Sequence, residues 1–338
     1  MPTSNVRTAP VPAVPPEPRP RRAYREAGLG VVLVVLVVLF ATLTPRFATG
    51  DTFAQVGTEM SIVLIVAVGQ ALVLFTRNID VSVGSTVGLT AYLAASLTAA
   101  VPGLPLVLTV LASCLVGAVL GAVNGALVAT LRVPSIMVTL GTLYIFRGID
   151  SALAGSSQIT AQSLPDSYAG IATATVAGVP LMFLYALAVA AVAHLVVRHT
   201  LTGRTMLAVG SAPSSAERTG IASKRLVFGA YTVTGLLCGL AGVLWGARYG
   251  TVDSSVATGF ELVVLAAVVV GGVSITGGVG TIGGVVLGAA ILSVISTGLA
   301  LADVSAFWLQ AIQGLVIILA ITLDLVLRRR MEFRGVST

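Results

Sequence analysis

Apolar runs follow one another along this chain with little polar sequence between them. Runs long enough to cross the roughly 30 Å hydrocarbon layer of a bilayer lie at 28–44, 57–76, 82–101, 104–130, 179–197, 228–247, 279–300 and 306–327. Two shorter ones either span fully or re-enter: 135–154, with Arg147 and Asp150 toward one end, and 260–276, with Glu261 at its start and glycines at its end. Only helices and closed barrels satisfy their backbone in lipid, and these runs have helical length. The pattern predicts an all-α integral membrane protein, a polytopic bundle of about ten transmembrane helices with both termini on one side.

Charge supplies the orientation. With cytoplasmic termini, the inside segments hold five Arg before residue 27, then Arg77, Arg132, five Lys or Arg from Arg198 to Arg225 and four from Arg328 to Arg334, which is 16 of the 19 basic residues. Arg46, Arg147 and Arg248 are the others, and the outside segment 155–178 has none, as the positive-inside rule expects. The net charge of +6 therefore reads as topology and not as a nucleic-acid patch. Composition agrees: 56% of residues are hydrophobic, 9% are charged and mean hydropathy is +1.02, against about 25% charged residues in soluble domains.

Three regions follow. Residues 1–26, with "APVPAVPPEPRPRR", are too Pro-rich and basic to bury a core and read as a disordered cytoplasmic tail. Residues 27–328 form the membrane domain, with a cytoplasmic loop at 198–226, and 329–338 is a short basic cytoplasmic tail.

The stretch "GGVSITGGVGTIGGVVLG" (271–288) carries Gly278-x-Gly280-x-x-Gly283, the spacing of a dinucleotide-binding loop. That fingerprint has meaning only between a strand and a helix of a βαβ unit, with an acid about 20 residues on. Here membrane-type runs flank it, and helix packing or a break between helices explains it better. Small residues recurring every fourth position let membrane helices approach closely. Gly117, Gly121 and Gly125, Gly280, Gly284 and Gly288, and Gly242, Gly246 and Gly250 keep that spacing.

Catalytic chemistry has little to work with. There are two His, His194 and His199, near one span end, and two Cys, Cys114 and Cys238, within apolar runs, where they read as small hydrophobes. The arrangement predicts no catalytic site, no metal and no cofactor. Asp80, Asp150, Glu261 and Asp303 are placed near span ends.

The loop "RHTLTGRTMLAVGSAPSSAERTGIASKRL" (198–226) is the most structured soluble piece. Thr202-Gly203-Arg204 reads as a turn, Pro213 with Ser214 or Ser215 starts a short helix, and Gly220 ends it.

At this loop the sequence resembles the ATPase-coupling loop of permease subunits in ATP-binding-cassette sugar importers of the ribose, rhamnose and autoinducer-2 type. "TRNIDVSVGSTVGLTAYLAAS" (76–96), "NGALVATLRVPSIMVTLGTLYIFRGI" (124–149) and "GFELVVLAAVVVGGVSITGGVGTIGGVVLGA" (259–289) match in the family's order, and the likeness runs from about residue 30 to 328. Such loops commonly carry an Asn where this chain has Ala212, and a Glu-Ala-Ala-like run of which only Ala216 and Gly220 keep the spacing.

The resemblance implies a multi-pass subunit in the plasma (inner) membrane of a prokaryote, without a catalytic site, importing a sugar or sugar-like ligand. Its partners would be a cytoplasmic ATPase subunit that hydrolyses ATP, an extracytoplasmic substrate-binding protein, a second permease copy or paralogue, and membrane lipid, but no nucleic acid. Gly203, Arg204, Ala216, Glu217 and Gly220 would couple to the ATPase. Asp80, Ser82, Ser85, Asn124, Thr139, Thr142, Glu261 and Ser274 offer the sparse polar groups that a hydroxyl-rich ligand needs along its path, although Ser and Thr in spans also bond the backbone of the preceding turn. A secondary carrier or facilitator working without an ATPase is the alternative.

Overall fold

The computed structural model describes residues 20–131, 133–155 and 157–305, and single positions from there to 322. The segments 1–19, most of 306–327, and 329–338 lie outside the described residues, and with them most of both tails and of the last expected span.

Among the described residues, eight helices are long and apolar enough to cross a membrane. In chain order these are α1 (Pro20–Leu43), α2 (Gly50–Phe75), α3 (Val83–Ala100), α4 (Leu106–Leu131) and α5 (Ser135–Ala154), followed after a short helix α6 (Asp166–Thr173) by α7 (Leu181–His199), and then by α10 (Ser223–Tyr249) and α12 (Ile282–Leu301). Between them sit α8 (Leu201–Ser211), α9 (Pro213–Arg218) and α11 (Phe260–Val270). The segment 135–154 is thus a complete helix. The segment 260–276 is not: α11 has 11 residues, about 16 Å of helix, and its chain leaves the helix at the glycines.

Helix α1 begins at Pro20, inside the stretch read as a tail, because Arg, Ala and Glu sustain a helix beyond the apolar run. The segment 155–178, expected as a plain loop, is organised. Strand β1 (Ile159–Thr160) pairs antiparallel with β4 (Thr251–Val252), tying the α5–α6 connection to the α10–α11 connection, while β2 (Thr175–Val176) and β3 (Val179–Pro180) form a hairpin. Tyr168 on α6 is fully buried and reaches Gly246 of α10.

Helix α2 runs through the centre, buried along nearly its whole length, with α7, α10, α11 and α12 packed round it. Its "SIVLIVAV" face has no polar stripe because it meets protein on all sides. Helix α4 differs: Leu108, Leu111, Leu115 and Val119 face outward as a lipid-facing row, and glycines face inward.

The closest pairing is α4 with α10. A Cβ on Gly117 would strike the carbonyl of Gly235, one on Gly121 the carbonyl of Tyr231, and one on Gly125 the backbone of Phe228, so these glycines allow backbone contact as expected. Two other ladders need correction. Gly280 lies before α12, not on it, with φ +151°; only Gly284 and Gly288 form the helix-packing edge, against Gly271 and the Ala267 carbonyl at the end of α11. Gly242 packs on α3, Gly246 on Tyr168, and Gly250 is the left-handed cap of α10, so that run serves three different contacts.

Candidate functional site

The loop 198–226 folds as two helices at one end of the bundle. Thr200 caps α8, its hydroxyl accepting from the Gly203 amide at 3.2 Å. Gly203 lies in the first turn of this helix and not in an open turn, because the Thr200 cap starts the helix two residues earlier than the glycine suggested. Its Cα is pressed on the backbone of Val196 and Val197, where a side chain would clash. Met206, Val209 and Gly210 are buried on one face of α8, and Arg204 is exposed on the other.

Helix α9 starts at Pro213, buries Ala216 and exposes Glu217 and Arg218. Gly220, with φ +80°, ends it in a Schellman motif: the Ile221 amide donates to the Ala216 carbonyl at 3.1 Å and the Gly220 amide to Glu217 at 3.0 Å. The expected coupling residues therefore divide into a buried set that shapes the corner (Gly203, Ala216) and an exposed set that faces outward (Arg204, Glu217), with Gly220 closing the helix.

The end of α8 rests on the glycine-rich loop. The Ser211 hydroxyl donates to the Gly278 carbonyl at 3.3 Å, and the Gly278 amide donates to the Phe75 carbonyl at the end of α2, also at 3.3 Å. Gly278 has φ +72°, and a Cβ there would clash with Ser211. Gly277 packs against the backbone of Arg77, itself at φ +66°, and Gly272 against the Arg25 guanidinium. Ser274 is buried inside the loop, its hydroxyl 2.7 Å from that of Thr276. Thr281 caps α12, accepting from the Gly284 amide at 3.0 Å and donating to Glu26 of α1 at 2.6 Å. The glycines of this loop thus sit where the backbones of Phe75, Arg77 and Ser211 and the Arg25 guanidinium come close. Among the described residues a helix, α11, and not a strand leads into this loop, so the βαβ setting of a dinucleotide site is missing.

A second feature is the break between α2 and α3, where the backbone of residues 79–82 is held by side chains of other elements. The Gln70 carboxamide faces the Asp80 backbone, with 3.1 and 3.3 Å bonds to its carbonyl and amide once the amide group is oriented to donate and accept. Ser135 accepts from the Ile79 amide at 3.0 Å, Thr139 from the Val81 amide at 3.1 Å, and the Tyr231 hydroxyl donates to the Ile79 carbonyl at 3.0 Å. Asp80 accepts from both the amide and the hydroxyl of Ser82, at 2.9 and 2.7 Å. Asn124 of α4 donates to the Ser82 hydroxyl at 2.7 Å. A backbone break inside a membrane bundle persists only where protein groups satisfy it; α2, α5 and α10 supply backbone partners, and α4 braces the Ser82 side chain.

Asp80 is accordingly 5% exposed and does not sit at a wet span end as expected, because the chain turns inward after Phe75. Asp80, Ser82, Asn124 and Thr139 come together here. Ser85 and Thr142 are buried and bond carbonyls of their own helices, those of Ser82 and Thr139. Glu261 is half-buried on α11, its carboxylate against the backbone of Gly84.

Sequence reasoning missed Gln70, Ser135 and Tyr231, whose partners are backbone atoms far along the chain. Asp150 does lie near the end of α5, but it is fully buried there, 3.6 Å from Arg147, which donates to the carbonyls of Ser254 and Val256 at 3.0 and 2.7 Å. This pair anchors the chain leading into α11. The i,i+3 spacing of Arg147 and Asp150 was the available signal.

The family described as branched-chain amino acid transport system / permease component matches residues 52–321. The chain belongs to that family. Among similar proteins, the autoinducer 2 import system permease protein LsrC of Klebsiella pneumoniae subsp. pneumoniae is 36% identical over 307 residues, 91% of this permease and 88% of its own length. The protein of that name from Enterobacter sp. is 35% identical over 307 residues, 91% and 88% of the two chains, and that from Salmonella typhi 33% over 300 residues, 89% and 85%. No solved structure matches. The permease is a multi-pass membrane protein and a transport component.

Proposed function

We propose that this chain is the membrane subunit of an ATP-driven importer that takes up autoinducer-2 or a related sugar-class molecule. In this reading the exposed face of α8 and α9 receives a cytoplasmic ATPase, an extracytoplasmic binding protein delivers the ligand at the opposite end, and a second permease completes the path. The chain has no catalytic site of its own and lies in the inner membrane.

The observation that carries the reading is the seating of α8. Its outward face offers Arg204, with Glu217 and Arg218 beside it on α9, while its inner end bonds to Gly278 and abuts Phe75. A partner pushing on α8 displaces close-packed backbone, which yields little. The displacement passes to the end of α2 through Phe75 and, through the glycine loop, to α11 and α12. Coupling between distant sites needs a contiguous, rigid connection of this kind.

The polar clamp at 79–82 is a fixed internal joint. Of the residues expected on the path, Glu261 is half-buried and the other seven are buried within one protomer. We assign the clamp the role of holding α3 in register with α4, α5 and α10.

The test is reconstitution in proteoliposomes with a cytoplasmic ATP-binding-cassette ATPase and a substrate-binding protein. Uptake of labelled autoinducer-2 or ribose that requires ATP supports the reading. Full uptake in vesicles without the ATPase overturns it in favour of a secondary carrier.

A further inference from the structure

Glu59 sits on α2 in a setting that the coupling face does not explain. It lines a cavity of about 120 Å³ between α2, α10, α11 and α12, together with Trp245, Tyr249, Phe260, Ser293 and Ser296. By comparison, a single water needs about 10–15 Å³, so the cavity has room for one small ring. Its rings form a connected wall: Trp245 lies 4.9 Å from Tyr249 and 5.2 Å from Phe260, the latter edge-on. Ser293 is 2% exposed and its hydroxyl has no hydrogen-bond partner. A buried hydroxyl left unpaired is costly and is commonly met by a ligand or water. The Glu59 carboxylate accepts from Thr297 at 3.2 Å and meets the Ser296 hydroxyl, another residue of the cavity lining, and two carboxylate oxygens have acceptor capacity beyond these two bonds.

A carboxylate among aromatic rings suits either a cation or a polyhydroxylated molecule. The neighbouring charges decide between them. Arg248 acts on Glu59 electrostatically and lies 6.0 Å from the Tyr249 ring centre, so a positive charge of the protein already serves both groups. A neutral ligand meets no repulsion there. Its hydroxyls donate to Glu59 and bond Ser293, and its C–H face packs on the rings.

We infer that this cavity is a binding site for a small neutral polyol of the sugar class, contained within one protomer and separate from the polar clamp. The inference takes only the choice of probe from the importer reading. It is tested without ATP, so that its failure and the failure of ATP-driven uptake are separate results.

The chain has two tryptophans, Trp245 and Trp308. In a Trp308→Phe background, the full-length permease in lipid nanodiscs reports from Trp245 alone. Titration with D-ribose is expected to shift Trp245 emission saturably and to slow its quenching by acrylamide. Glu59→Gln and, separately, Ser293→Ala are each expected to weaken the response about tenfold, the effect of losing one good hydrogen bond. If one variant fails to assemble, the other still decides. A Trp245 signal indifferent to D-ribose, one that both variants leave unchanged, or a response to tetramethylammonium in place of D-ribose overturns the inference.

Discussion

Asp80 shows how one side chain shapes a turn. Its Oδ1 takes two bonds from Ser82, whose hydroxyl in turn accepts from Asn124, and all three are buried. Removing the acceptor strands Ser82 in the interior, which costs about 1–3 kcal/mol. Asp80→Ala is therefore expected to lower the thermal midpoint of the purified permease clearly, and Asp80→Asn, which keeps one acceptor oxygen, to lower it less. Equal midpoints for wild type and Asp80→Ala would show that the turn is held by Gln70, Ser135, Thr139 and Tyr231 without it. Gly220 is a different case. Nothing lies within 4 Å of its added Cβ, but its φ is +80°, so Gly220→Val pays only backbone strain, about 1–2 kcal/mol. Membrane insertion should survive while ligand-stimulated ATP hydrolysis and uptake fall together. Retained uptake in this variant would remove the α9 end from the coupling path.

Among elements, the test is what each helix tolerates at its glycines. Gly121 on α4 and Gly284 on α12 face carbonyls of α10 and of the α11 end at contact distance, whereas Gly148 on α5 has open space around it. Gly121→Leu and Gly284→Leu are expected to destabilise the bundle by at least the roughly 1–3 kcal/mol typical of overpacking, because the backbone that they strike cannot rotate away. Gly148→Ala should be neutral or stabilising by up to about 1 kcal/mol through helix propensity. Thermal unfolding of the three variants in one detergent ranks them; a Gly284→Leu protein as stable as wild type would contradict the α11–α12 packing. The α4–α10 edge was legible in the sequence because its four-residue spacing stays on one face of a single helix. The run through Gly280 was not, since Gly280 precedes the cap at Thr281 and spacing alone does not reveal where a helix starts.

At the level of the whole molecule, the exposed face of α8 and α9 is where a partner can act. Arg204 is exposed, on the face of α8 opposite its buried residues. Arg204→Glu is expected to leave the thermal midpoint within about 0.5 kcal/mol of wild type and to reduce co-purification of the ATPase, since reversing a charge at an interface disfavours association. Undiminished co-purification and uptake would move the docking surface elsewhere. Gly278→Ala probes the inner end of the same connection: its strain and its clash with Ser211 should lower uptake while the ATPase still binds.

The sequence by itself determined what depends on local composition and on counting. Bilayer thickness sets the length of apolar runs, so the existence of nearly every described span was readable. The lipid cannot pair polar backbone, so helix was the only state those runs could take. Caps and turns that rest on neighbouring residues were also readable, as at Pro213 and Gly220. Tertiary structure alone decided which polar residues meet. The bonds from Asn124 to Ser82, Tyr231 to Ile79 and Ser211 to Gly278 join residues 42 to 152 positions apart, and no periodicity encodes such distances. It also decided why residues 271–281 are rich in glycine. The spacing resembles a phosphate-binding loop, but the backbone of α2 and α8 occupies the space where a ligand would lie, and a glycine records only that something comes close, not what it is.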